Sequence, residues 1–174
     1  MSSDPEGHAA TAAFLSAPVP VKPRVILAVG LPGSGKSTYL AKLGVHPISS
    51  DAIRLQLADD ETDQTIHARV FTTVRYLLKQ RIEIERPVTY IDATNLTRRD
   101  RRPFIALAQK HGCGIEALFF DIPLDVCKAR NSSRARLVPT HALDQMAAKL
   151  VPPSIEEGFS VVKVIGIEVV PYLP

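Results

Sequence analysis

The run "RVILAVGLPGSGKST", residues 24–38, restricts this chain more than any other stretch. An unbroken apolar segment of strand length suits a parallel strand buried on both faces. The loop behind it satisfies G-x-x-x-x-G-K-[ST] through Gly30, Gly35, Lys36 and Ser37. With Gly at about 7% of residues, a chance match in a chain this long is roughly a one-in-a-hundred event, and here the strand–loop–helix context is met as well. The chemistry explains the residue types. Gly33 and Gly35 let the backbone turn and bring its N–H groups to phosphate oxygens. The helix from Lys36 presents its positive end to an anion. Lys36 reaches the β and γ phosphates, and Ser37 offers an oxygen to Mg²⁺. Leu31, Pro32, Gly33, Ser34, Gly35, Lys36, Ser37 and Thr38 are therefore the expected nucleotide-binding residues. No Asn-Lys-x-Asp guanine signature occurs, which points to ATP as the phosphate donor.

The rest of the chain alternates in the same way. "HPIS" reads as a second strand, and "SDAIRLQLA" as a short helix starting at Ser50 or Asp51. Ile66, Val70, Val74, Leu77, Leu78 and Ile82 recur at helical spacing, predicting a long helix over about Thr62 to Glu85. "PVTYID" is a third strand ending at Asp92. "RRPFIALAQKHG" is a helix starting at Asp100 or Arg101, which leaves Pro103 in its first turn. "GIEALFFD" is a fourth strand, "PLDVCKARNSSR" a helix, and Thr140 the cap of a helix carrying Leu143, Met146, Ala147 and Leu150. "VVKVIGIEVV" supplies a last strand or two. Strands alternating with helices predict an α/β fold, a four- to five-stranded parallel sheet covered by helices on both faces.

Length and composition are consistent with that. A chain of 174 residues has room for one domain and buries about 70% of its unfolded surface without metal or disulfide staples. The Ala-, Ser- and Pro-rich residues 1–23 read as a tail ahead of a domain over 24–174, and they lack the pattern of a signal or transit peptide. A net charge of +3, from 21 basic and 18 acidic residues, permits a nucleic-acid partner without demanding one. Cys113 and Cys127 fit no metal or redox spacing and suit a reducing, cytoplasmic setting. No apolar run approaches the roughly 20 residues of a membrane span.

Three further segments bear on what becomes of the phosphate. In "SSDAIR", Asp51 and Arg54 lie three apart and can face one cleft, where a carboxylate can take the proton of an acceptor hydroxyl; a helix cap with a local ion pair is the plainer reading. In "YIDATN", Asp92 at a strand end suits Mg²⁺ or a contact with Arg54, while Asn95 either touches an acceptor or only shapes the turn. In "RNSSRARLVP", Arg130, Arg134 and Arg136 can form a lid whose guanidinium groups grip phosphate oxygens during transfer. In "NLTRRDRR", Arg98, Arg99, Arg101 and Arg102 crowd a helix start, where cations are unfavourable; they either meet acceptor phosphates, Arg98 first, or form a solvated face around Asp100.

Taken in order, "GLPGSGKST", "SSDAIR", "IDATN", "RNSSRARLVP" and "PPSIEEGF" resemble the kinase domain of polynucleotide 5′-hydroxyl kinases and their P-loop relatives, over about Arg24 to Ile165. The resemblance implies Asp51 as general base, Arg54 at the acceptor phosphate, and Arg130 and Arg134 on the donor phosphates. It implies ATP-dependent transfer to the 5′-hydroxyl of a polynucleotide. A kinase for a sugar, nucleoside or antibiotic hydroxyl stands beside it, as does an ATP-dependent binding module without transfer. The D-x-D-G phosphatase motif that often accompanies polynucleotide kinases does not occur in the sequence.

Overall fold

The computed structural model describes residues 22–133 and 137–166. Arg134, Arg136 and most of the expected tail lie outside the described residues, as does the chain after Gly166. Among the described residues, β1 (Arg24–Val29), β2 (Ile48–Ser49), β3 (Val88–Asp92), β4 (Gly114–Phe120) and β5 (Val161–Ile165) make one sheet in the order β2-β3-β1-β4-β5. Every neighbouring pair is parallel. Parallel pairs need crossovers, and these contain α1 (Lys36–Lys42), α2 (Ser50–Ala58), α3 (His67–Glu83), α4 (Arg98–Lys110), α5 (Leu124–Ser132) and α6 (Thr140–Lys149). A single 3-10 turn, Ile155–Glu157, leads into β5.

The central strand explains its own sequence. Val25, Leu27 and Val29 pack with Val70, Val74 and Leu78 of α3 and Phe104 of α4, whereas Ile26 and Ala28 pack with Leu40 of α1 and Cys127 of α5. Both pleats are buried, so the strand reads as one apolar run. Leu27 lies opposite Ile91, and Ser49 opposite Asp92. The ends of β1, β2 and β3 therefore share one edge, and the loops that leave them share one crevice.

Four helix boundaries differ from the sequence expectation, each for a local reason. Ser49 caps α2, accepting from the Ala52 N–H at 3.3 Å, so neither Ser50 nor Asp51 is the cap. Helix α3 starts at His67 rather than Thr62. Asp60 and Asp63 accept from the backbone N–H groups of Thr62 and Thr65, both at 2.8 Å, and these turns divert the chain from helix. Helix α4 starts at Arg98, because Thr97 and Asp100 form a reciprocal capping box. Pro103 thus lies inside the helix, beyond its first turn. Pro139, not Thr140, occupies the cap position of α6.

Candidate active site

The phosphate loop joins β1 to α1 over Gly30–Gly35. Gly33 has φ +81°, and a Cβ there would collide with the Cys127 carbonyl of α5. Only glycine satisfies both the left-handed backbone and this close approach. The Lys36 Nζ donates to the carbonyls of Gly30 and Leu31 at 2.9 and 2.7 Å. The loop is also tied to the segment after β3, through the Gly30 N–H donating to the Thr94 carbonyl at 3.0 Å. Leu31 and Ser34 are buried, so the loop offers their backbone rather than their side chains. The Ser37 hydroxyl donates to Asp92 Oδ2 at 2.7 Å. The two residues are distant in sequence and meet because β3 lies directly beside β1.

A cleft of about 570 Å³ opens above the loop. Pro32, Gly33, Gly35, Lys36, Ser37 and Thr38 form its floor, and Asp92 belongs to its wall. Arg130 of α5 lines it too, its Nη1 3.8 Å from where a Gly35 Cβ would stand. Arg134, the other expected donor-phosphate ligand, lies outside the described residues.

At the α2 end, Arg54 Nη1 donates to Asp51 Oδ1 at 2.8 Å. The pair is asymmetric: the Arg54 side chain is 4% exposed and that of Asp51 49%. The carboxylate therefore faces the cleft while the guanidinium backs it, and Arg54 Nε is buried without a hydrogen-bond partner among the described residues. Thr62, Gln64, His67 and Phe71 complete this end. The His67 and Phe71 rings lie 4.6 Å apart, and Phe71 packs edge-on against Phe104. Sequence reasoning missed these residues because it ran the helix through Thr62; the Asp-rich "DDETDQT" was the available sign of a loop. Leu137, Val138, Pro139, Ala142 and Met146 form an apolar wall that was also missed.

Two expected acceptor residues lie elsewhere. Asn95 is 2% exposed, has φ +47°, and donates from Nδ2 to the Ala28 carbonyl at 2.8 Å, so it shapes the turn after β3 and does not line the cleft. Arg98 is not among the residues that line the cleft; its exposed side chain places Nε 3.9 Å from Glu157 Oε1. Arg101, expected on a solvated or phosphate-binding face, is wholly buried.

Burial pushes the Cys127 thiol above its usual value, while Lys36 and Arg130 pull it back. It is an apolar filler of the α5 contact rather than a nucleophile. For Mg²⁺ the structure offers a hydroxyl and a carboxylate, both hard oxygen donors at the cleft wall, which suits the ion. No cluster of three or more His, Cys, Asp or Glu side chains that could hold a metal occurs among the described residues, and no described helix is long and apolar enough to cross a membrane.

Known structures share this architecture. A chain of the Pnkp1/Rnl/Hen1 RNA repair complex superposes with a TM-score of 0.64 at 22% identity, over 74% of this chain and 44% of that one. This chain therefore spans less than half of that relative's length. A sugar kinase from Janibacter sp. superposes with a TM-score of 0.61 at 20% identity, over 83% of this chain and 85% of that one. A gluconokinase from Sinorhizobium meliloti gives 0.57 at 18% identity, over 84% of each chain. At these identities the likeness is one of fold, that of P-loop kinases. The family model that matches residues 25–153, from β1 to the loop behind α6, is AAA_33, an AAA domain; it spans most of the sequence, and the chain belongs to this family.

Proposed function

We propose that this protein is an ATP-dependent phosphotransferase that moves the γ-phosphate to a hydroxyl, with the 5′-hydroxyl of a polynucleotide as the leading acceptor. The observation that carries the reading is the Asp51–Arg54 pair facing a phosphate loop across one cleft. A hydrolase or a passive binding module has no need of a carboxylate backed by a buried guanidinium at the far end of its nucleotide site. Asp51 accepts the proton of the acceptor hydroxyl as its oxygen bonds to the γ-phosphorus and the β–γ bridge breaks, releasing ADP. Lys36 moves from the loop carbonyls to the β and γ phosphates, and Arg130, with Arg134, neutralises charge on the transferred group. Mg²⁺, when held by Ser37 and Asp92, supplies charge neutralisation on the β and γ oxygens. Residues 24–174 carry the activity, residues 1–23 are a tail, and two buried free thiols suit the cytoplasm.

Arg54, a cation lining the cleft beside Asp51, favours an acceptor with an anion beside its hydroxyl, as a nucleotide 3′-phosphate provides. One observation favours a small polyol instead: Thr62, Gln64 and His67 offer hydrogen-bonding groups at the acceptor end. A labelled-phosphate transfer screen against 5′-hydroxyl DNA and RNA, nucleoside 3′-monophosphates, nucleosides and sugars separates the two, with Lys36→Ala as the inactive control. If the acceptor is a polynucleotide, Arg54→Ala should lower kcat/KM for oligonucleotides by about 10- to 150-fold. It should matter far less for a neutral acceptor. Transfer only to neutral sugars or nucleosides would overturn the polynucleotide reading. ATP binding with no transfer to any acceptor would overturn the phosphotransferase reading.

A further inference from the structure

The segment "PPSIEEGF" and the arginine-rich start of α4 lie outside the cleft, and the fold joins them. Arg101 is 0% exposed, although arginine is rarely buried without partners. Its Nε and Nη2 donate to the two carboxylate oxygens of Glu157 at 2.8 and 2.7 Å. Its Nη1 donates to the carbonyls of Asn95, Leu96 and Val151 at 3.0, 3.1 and 2.9 Å. The Val151 N–H donates back to the Leu96 carbonyl at 2.9 Å. Glu157 also accepts from the Ser154 N–H, which fixes it in the cap of the 3-10 turn.

A buried ion pair is poor evidence for stability, since apolar residues of equal volume often serve as well or better. What this one does is hold position. Asn95 and Leu96 belong to the loop that follows Asp92. The same loop is held toward β1 by the Asn95 amide on the Ala28 carbonyl and by the Gly30 N–H on the Thr94 carbonyl. Val151 follows α6, whose Ala142 and Met146 line the cleft. Arg101 thus ties the loop that follows Asp92, the end of α6 and the 3-10 turn to one point.

We propose that Arg101, anchored by Glu157, is a positioning residue for Asp92: it fixes the β3–α4 loop so that the carboxylate stays at the Ser37 hydroxyl, where the divalent cation of the donor nucleotide is held. The proposal rests on the reading of Ser37 and Asp92 as the Mg²⁺ site, and not on the identity of the acceptor. Groups that orient metal ligands from outside typically contribute about 10- to 100-fold in metal affinity.

The test is a Mg²⁺ titration of the full chain bound to a fluorescent, non-hydrolysable ATP analogue, with thermal melting in parallel. The variants are Arg101→Lys and the neutral pair Arg101→Met with Glu157→Leu, the second chosen because it leaves no buried charge if the first fails to fold. Both should bind the analogue without Mg²⁺ as wild type does, and both should need about 10-fold or more Mg²⁺ for half-saturation. Asp92→Ala should lose the same Mg²⁺ response. Folded variants with a lower Tm but the wild-type Mg²⁺ response would overturn the proposal and leave Arg101 as a core staple. A wild type with no Mg²⁺ response would overturn it too. A wild type with the response, and variants without it, would support it even if no acceptor were phosphorylated; that result would count against the proposed transfer alone.

Discussion

Asp51 and Arg54 are three residues apart on one helix, yet one is open to the cleft and the other is almost wholly enclosed. Ser49 caps α2, and Asp51 stands in the first turn behind it with its carboxylate paired to Arg54. We expect Asp51→Asn, which keeps the size and one accepting oxygen but cannot take a proton, to lower the transfer rate by roughly 10²-fold or more with ATP affinity nearly intact. Single-turnover transfer beside equilibrium ATP binding measures both, and near wild-type transfer would reduce Asp51 to a partner for Arg54. The arginines of "NLTRRDRR" teach the opposite lesson. As a sequence they look alike. Once the Thr97–Asp100 capping box starts the helix at Arg98, Arg101 shares a face with Phe104, Ile105 and Ala108, all buried. That spacing was present in the sequence, but a charged residue at the head of an apolar stripe reads as solvated until a buried Glu157 is seen across from it.

At the level of elements, the contact between the phosphate loop and α5 carries the most consequence. Gly33 combines a left-handed backbone with a place where any Cβ meets the backbone of Cys127, which cannot yield as a side-chain tip can. Gly44 has φ +67° but open space around it among the described residues. Gly44→Ala should therefore cost only the left-handed strain, about 1–2 kcal/mol, and leave ATP affinity unchanged. Gly33→Ala should add displacement of the loop and lower both Tm and ATP affinity, the latter by about 10-fold or more, since each misplaced charge-assisted N–H···phosphate bond is worth roughly 1.5–3 kcal/mol. Thermal melting and nucleotide titration of the two variants side by side test this. Equal affinities would mean that α5 does not set the shape of the loop.

Across the whole molecule, both thiols are buried in the two apolar layers that sandwich the sheet, Cys113 on one side and Cys127 on the other. Burial raises both above the usual 9.0. The unfolded chain then loses thiol protons at a lower pH than the folded one, so the thiols' contribution to stability is full below 9.0 and declines as pH rises beyond it. Denaturant unfolding of wild type against Cys113→Ala with Cys127→Ala should show the wild type losing stability faster above that pH; parallel curves would refute it. By itself the sequence determined the phosphate loop, the alternation of strands and helices and the parallel sheet, because each is written in residues adjacent in the chain: a glycine spacing, an apolar run, a helical stripe. Tertiary structure alone decided which distant groups meet. The strand order sets Asp92 against Ser37, the Asp-led turns bring Thr62, Gln64 and His67 to the α2 end of the cleft, and a buried Arg101 finds Glu157. Contacts such as these depend on how elements pack across the sheet, and local periodicity carries no record of that.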